Sequence, residues 1–220
     1  MSNSQLQPFI AAIEQADSPT RLIGAVRALA AARLEAGIPT LIQVLGYNNP
    51  GAALAAVEGL VQLGRVAVEP LLEQIDGYNY GARAYAIRVL AAIADPRALS
   101  VLLSAAATDF APSVRRAAIK GLGNLQWQAL PMQQRTQAQT EVLNVLLDVS
   151  ADPDWAIRYA AVVGLQALGE SAIEWRTRQA VSDRLCQIEQ SDRDPVTQAR
   201  AKLARDRLSA VSSPPFPVCC

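Results

Sequence analysis

Three arginines recur at one place in this 220-residue chain. Arg83, Arg115 and Arg158 each stand seven positions before a leucine (Leu90, Leu122 and Leu165), and Asp109 and Asp152 stand six residues before the last two. A guanidinium presents a rigid fork of N–H donors that fits a carboxylate in two places. Two chemistries suit the pattern. One is a ladder of cations for an anionic ligand or partner. The other is a chain of Asp–Arg bridges that ties turn to helix and repeat to repeat, the usual state of arginine in stacked helices.

The aromatic residues are the second group. Of eleven, seven fall close to turns: Tyr47, Tyr78, Tyr80, Tyr85, Phe110, Trp155 and Tyr159. Two of the tyrosines belong to a repeated Gly-Tyr-Asn, at 46–48 and 77–79, which also supplies Asn48 and Asn79. Aromatic side chains fill cores, and they also concentrate at binding surfaces. Tyr85 is singular: counted from the following leucine, its position is otherwise Gly24, Ala55, Ala117 and Ala160. Arg88, one turn on, belongs to a mostly charged column with Arg27, Glu58, Lys120 and Val163, as expected of an exposed helix face.

Composition removes other chemistries. The chain has no histidine, so no His-dependent triad or imidazole metal ligand exists, and no metal site is expected. Twenty basic and twenty acidic residues cancel, which argues against nucleic acid or an anionic membrane as partner. Cys186, Cys219 and Cys220 form neither a disulfide framework nor a metal knuckle, so a cytoplasmic location is expected. The start, MSNSQLQPFI, does not read as a signal peptide, and no uninterrupted apolar run approaches a membrane span.

The elements that must position these residues form a repeat. TRLIGAVRAL, GAALAAVEGL, YGARAYAIRVL, PSVRRAAIKGL, WAIRYAAVVGL and PVTQARAKL end on Leu29, Leu60, Leu90, Leu122, Leu165 and Leu203. Apolar stretches with helical spacing, such as IPTLIQVLG and EVLNVLLDVS, precede most of them. Each unit therefore reads as helix A, turn, helix B. Ser18-Pro19, Asn49-Pro50, Asp152-Pro153 and Asp194-Pro195 supply a capping side chain before proline. Pro39 opens an A helix, and Gly64 and Gly169 are expected to close B helices.

A helical pair of this size cannot bury both faces alone, so neighbours stack. The expected fold is all-α: a right-handed α-solenoid of HEAT-like (α-α superhelix) repeats, one domain of five to six helical pairs over 1–208. A disordered Ser/Pro-rich tail is expected over 209–220. The polar run 126–140 is expected as a longer loop, and Cys186 as a small packed residue in an A helix.

The units SVRRAAIKGLG and WAIRYAAVVGLQALG resemble the short HEAT-like repeats of phycobilin lyases. The stretches 38–64, 76–99 and 152–169, with their Gly-Tyr-Asn turns and DWAIRYAAVVGLQALG, resemble the F-type (beta) subunits of that family most closely. The resemblance covers roughly 17–170, and the Cys-Cys tail lies outside it. It implies a heterodimer with an E-type (alpha) subunit, phycocyanobilin as bound substrate with no intrinsic cofactor, and thioether attachment of that bilin to a cysteine of the α-phycocyanin apoprotein. Isomerising relatives carry an essential His-Cys pair, so a chain without histidine implies transfer without isomerisation.

On that reading Tyr47, Asn48, Tyr78, Asn79, Tyr80, Tyr85, Trp155 and Tyr159 would hold a flat tetrapyrrole or a partner. Arg83, Arg88, Arg115 and Arg158 would meet its propionates, and Asp109 or Asp152 would bond the pyrrole N–H groups or supply a proton. The competing expectation is a non-catalytic HEAT-like adaptor in phycobilisome assembly or degradation, whose aromatic and arginine groove grips a protein helix.

Overall fold

The computed structural model describes residues 5–75 and 80–211. Tyr78 and Asn79, with the rest of the second Gly-Tyr-Asn turn, lie outside the described residues, as do Cys219 and Cys220. The chain divides into two compact units, 1–98 and 99–220. Each contains three successive helical pairs among its described residues.

The first unit contains α1 (Gln7–Glu14) with α2 (Pro19–Ala32), α3 (Ile38–Val44) with α4 (Pro50–Leu63), and α5 (Val68–Gln74) with α6 (Tyr80–Ile93). The B helices pack in order, α2 on α4 and α4 on α6. Their predicted starts hold: Ser18 accepts from the Arg21 N–H at 3.3 Å, and Asn49 accepts from the Ala52 N–H at 3.1 Å. The Asn49 amide also donates to the Pro19 carbonyl at 3.5 Å, linking two caps across neighbouring pairs.

Leu29, Leu60 and Leu90 are all buried, and small residues beside them set the spacing. A Cβ added at Gly59 would lie 2.6 Å from the Ala30 Cβ. Four residues after each leucine the backbone takes a positive φ, at Arg33 (49°), Gly64 (72°) and Ala94 (58°). Only Gly64 pays no steric penalty there. The apolar run Pro50–Gln74 is long and apolar enough to cross a membrane by composition. It is instead three pieces, α4, the 3-10 turn Gly64–Ala67 and α5, parted at that glycine.

The second unit contains α7 (Leu99–Thr108) with α8 (Pro112–Gly123), α9 (Met132–Val149) with α10 (Trp155–Ser171), and α11 (Trp175–Ser191) with α12 (Pro195–Val211). Again the B helices stack, α8 on α10 and α10 on α12. At one crossing a Cβ on Gly123 would stand 2.4 Å from the Gly164 carbonyl oxygen.

Several sequence expectations shift here. The run 126–140 is a 3-10 turn at Trp127–Ala129 followed by the first turns of α9, so the insertion lengthens a helix instead of forming a loop. Gln139 explains part of this: buried in α9, it accepts from the Ile173 N–H and donates to the Ser171 carbonyl, bracing the next corner. Gly169 lies within α10, which ends at Ser171. α12 runs to Val211, beyond the boundary expected at 208.

The last repeat is also registered differently. Leu203 is exposed, whereas Thr197, Ala201, Ala204 and Leu208 are buried. These match Ile157, Ala161, Gly164 and Leu168 of α10, so Arg205 stands where Leu165 was expected to have its counterpart.

Candidate functional site

The aspartates that precede the B helices do two jobs at once. Asp109, Asp152 and Asp192 each accept, through Oδ1, the N–H two residues on, at 2.9, 2.8 and 2.8 Å. That bond folds the A–B corner. Oδ2 of Asp152 and of Asp192 also takes an arginine from the preceding pair: Arg115 Nη1 reaches Asp152 at 2.8 Å, and Arg158 Nε reaches Asp192 at 2.8 Å. Arg158 adds a second bond to Asp192 Oδ1 at 2.9 Å and donates to the carbonyls of Asp152 and Pro153. Arg115 also donates to the Ala106 carbonyl.

Arg158 is only 8% exposed, so its charge is buried and needs this partner. Its hydrogen bond to Asp192, against the opposing effect of burial, raises the arginine above its ordinary value, and the same bond pulls Asp192 down. Both ions are held charged. Asp152 is thus a corner aspartate, and the α10 cap passes to Asp154, which accepts from the Ala156 N–H at 2.8 Å. The expected Asp194 cap stands, accepting from the Thr197 N–H at 2.8 Å.

Among the described residues no helical pair follows α12. At the position of Arg115 and Arg158 it carries Gln198, which donates to the Asp192 carbonyl at 2.8 Å. A neutral side chain keeps the local bond and leaves no buried cation without a carboxylate. The sequence signal for Asp192 was present: Asp-x-Asp at 192 and 194 repeats the spacing at 152 and 154.

In the first unit the corresponding polar centre sits at the other corner. Asp95, 1% exposed, accepts from Arg65 Nε at 2.8 Å and from Arg97 through Nε at 2.9 Å and the backbone N–H at 3.0 Å. Burial alone would raise its pKa; the bonds from Arg97 and Arg65 outweigh that and bring it down to about 2. Neither arginine belongs to the recurring column, so sequence spacing did not single them out.

The aromatic and remaining cationic candidates lie as follows. Tyr47 and Asn48 are exposed at the α3–α4 corner. Tyr80 opens α6, with Arg83 one turn later, both half-buried. Further along α6 the exposed Arg88 guanidinium lies 5.8 Å from the ring centre of half-buried Tyr85, a cation–π contact. Tyr85 occupies a position where neighbouring pairs have glycine or alanine, so its ring is not demanded by the repeat. In the second unit Trp155 opens α10 at 51% exposure and Tyr159 follows one turn later, half-buried. Phe110 is 78% exposed at the α7–α8 corner, so core filling does not account for it. Cys186 is buried in α11. Among the described residues no group of acidic, cysteine or histidine side chains is arranged to hold a metal.

Stacked helix–turn–helix pairs with buried small residues and repeated corner bonds define an α-solenoid. Residues 68–136 match the family model of HEAT repeats, and a designed armadillo repeat protein in complex with a (KR)4 peptide shares the fold at a TM-score of 0.59 and 17% identity, covering 92% of this chain and 98% of that one. The relatives narrow the class. The chain is 54% identical, over 90% of its own length and 98% of the relative's, to the phycocyanobilin lyase subunit beta of Nostoc sp., and 53% identical, over 94% and 98%, to that of Thermosynechococcus vestitus. A chain of the CpcE–CpcF complex of phycocyanin lyase from Nostoc sp. matches with a TM-score of 0.72 and 58% identity, covering 77% of this chain and 98% of that one. The chain belongs to the family of phycocyanobilin lyase beta subunits.

Proposed function

We propose that this chain is the beta subunit of a heterodimeric bilin lyase. With an alpha (E-type) subunit it binds phycocyanobilin in the cytoplasm and attaches it to a cysteine of the α-phycocyanin apoprotein. The observation that carries the reading is identity above half with named beta subunits over nearly their whole length.

The reaction is an addition. The thiol sulfur of the acceptor protein bonds to a carbon of the bilin's exocyclic double bond, the thiol proton ends on the pigment, and nothing leaves. The nucleophile belongs to the acceptor, so a chain without histidine can serve if it positions the pigment and controls its protonation. Tyr85 and Arg88 suit the first task. The ring offers a flat apolar face, and the exposed guanidinium, oriented over that ring, can take a propionate. Tyr80 and Arg83 on the same helix, and Tyr47 with Asn48, extend the candidate surface, to which Tyr78 and Asn79 are also assigned. Trp155 and Tyr159 form a second aromatic patch.

Arg115 and Arg158 are assigned to hold neighbouring pairs together, since carboxylates and carbonyls already engage them. Asp109 and Asp152 are assigned the shaping of corners in preference to proton transfer, because each is already bonded there.

The test is transfer of phycocyanobilin to apo-α-phycocyanin by the chain with its E-type partner, using Tyr85→Ala and Arg88→Gln. Loss of transfer with folding retained is expected. Unchanged transfer and pigment binding would remove both residues from the site. A wild-type pair that binds phycocyanin and never passes colour would favour the adaptor.

A further inference from the structure

One column of the repeat holds a small residue in most pairs. Along the B helices it reads Gly24, Ala55, Tyr85, Ala117 and Ala160, and in the register that carries α10 onto α12 its next member is Arg200. Only Tyr85 and Arg200 are large. Tyr85 has a proposed place against the pigment, with the Arg88 cation beside its ring. Arg200 has no part in the corner bridges.

Its setting is unfavourable for a cation. Arg200 is half-buried on α12, and its Nη2 donates to Gln166 Oε1 on α10 at 2.7 Å. Nη1 is shut off from solvent and donates to nothing among the described residues. A buried donor without an acceptor loses its hydration and gains no bond in return. Burial is the main influence on the guanidinium and lowers it from its ordinary value; the Tyr159 phenol opposes that fall, exposed Arg207 adds to it as a like charge, and Glu170 opposes it least. Glu170 acts on Arg200 without forming an ion pair, and its Oε1 takes the Gln166 amide at 2.6 Å.

Two residues earlier the same helix avoids such a cation. Gln198 stands in the arginine column and donates only to a carbonyl. α12 thus gives up one arginine that would lack a carboxylate and keeps another, at a position where the neighbouring pairs have alanine. Packing alone does not ask for that choice.

What the position lacks is a negatively charged acceptor. Nη1 is enclosed, so an incoming group reaches it as a neighbouring side chain turns aside, and half-buried Tyr159 on α10 is the aromatic neighbour that acts on this guanidinium. Arg158, next to Tyr159 in the chain, is committed to Asp192 and to two carbonyls. The cation beside this ring with an unused donor is therefore Arg200. In the first unit ring and cation come from one helix; here the ring comes from α10 and the cation from α12.

We propose that Arg200 binds a propionate of phycocyanobilin, whose carboxylate supplies the acceptor that Nη1 lacks while the Tyr159 ring lies against the pigment. The assignment rests on the proposed lyase function and deepens it by one residue. A flat aromatic neighbour suits a tetrapyrrole better than an isolated acidic side chain, and a guanidinium already held by Gln166 takes a carboxylate with less ordering cost.

The test uses the chain with its E-type partner, as wild type, Arg200→Gln and Arg200→Lys. Each pair is titrated by absorbance with phycocyanobilin and with its dimethyl ester, in which both propionates are neutral, and melting is followed alongside. In Arg200→Gln the preference for free acid over ester should fall by about tenfold, with affinity for the ester and the melting profile unchanged. Arg200→Lys, which keeps the charge and loses the fork, should give an intermediate preference, and it keeps the comparison readable if glutamine disturbs the contact with α10. A preference within about twofold of wild type in both variants would overturn the proposal. So would equal loss of acid and ester with lowered melting, which would leave Arg200 a purely structural contact. Weakened affinity for the E-type subunit at an unchanged acid preference would also overturn it and assign the cation to the partner. A wild-type pair that binds neither pigment would overturn the lyase reading and this assignment together, whereas the other failures leave that reading standing.

Discussion

The two compact units carry the same number of helical pairs and join them differently. In the first, A helices are short, the B–A corners turn through residues with positive φ, and neighbouring B helices meet on alanine and glycine. In the second, A helices lengthen to as many as 18 residues and buried Arg–Asp bridges link successive A–B corners, whereas the first unit's bridge between successive corners, Arg65 to Asp95, lies on the B–A side. Apolar packing stabilises contact without fixing register sharply. A buried ion pair contributes less net stability than its Coulomb energy suggests, but it penalises a slipped register heavily. The second unit carries that penalty at each A–B corner from Asp152 onward, and it ends where Gln198 replaces arginine.

The largest effect that would break this comparison is at Asp192. Asp192→Ala leaves Arg158 buried and unpaired and should cost about 3–5 kcal/mol. Hydrogen exchange should rise in α10 and α12 and not in α2 or α4. The joint change Arg158→Met with Asp192→Leu should recover most of the loss; a double variant as unstable as the single one would argue against the unpaired charge as its cause.

The matching disturbance in the first unit is Gly59→Val, which drives a side chain into Ala30 and should cost about 2 kcal/mol. Here the added exchange should appear in α2 and α4. If either variant loosened both units equally, the division of labour between them would fail.

Acid sharpens the contrast further. Asp95 falls from its ordinary 3.8 to about 2 in the folded chain. Its contribution, about 2 kcal/mol, is present above pH 4 and is lost as pH falls through about 2. Stability of wild type should therefore decline between these values more steeply than that of Asp95→Asn, measured by urea midpoints across the range. The smallest effect is a gain: Ala94→Gly relieves a left-handed alanine and should add about 1 kcal/mol.

Much of this fold was legible because leucines and small residues recur at helical-pair intervals, and Leu29, Leu60, Leu90, Leu122 and Leu165 are all buried. The last repeat misled, since Leu203 offered a leucine at a plausible distance while the buried register ran through Thr197 and Leu208. Among the described residues α12 packs on α10 and α11, and Leu203 lies on the face turned away from that contact. The polar run 126–140 looked like a loop because its helix is exposed on most sides, and glutamine and threonine carry no apolar period.

The arginine column was legible as a pattern that fits either a ligand ladder or inter-repeat bridges; the partners of Arg115 and Arg158 came only from geometry. Asp95 with Arg65 and Arg97 was invisible, because a buried cluster assembled from one corner and the preceding one leaves no period. Tyr85 stood out for the opposite reason, as a large ring in a column of small residues.

The central claim is that the first unit's Tyr85–Arg88 surface meets the pigment while the second unit's arginines hold the stack. It is tested most directly by bilin transfer to apo-α-phycocyanin with the E-type subunit present, comparing Arg88→Gln with the double variant Arg158→Met, Asp192→Leu. The account predicts that Arg88→Gln loses transfer at unchanged stability, while the double variant, once folded, transfers normally. Normal transfer by Arg88→Gln together with loss of transfer in a folded double variant would contradict it.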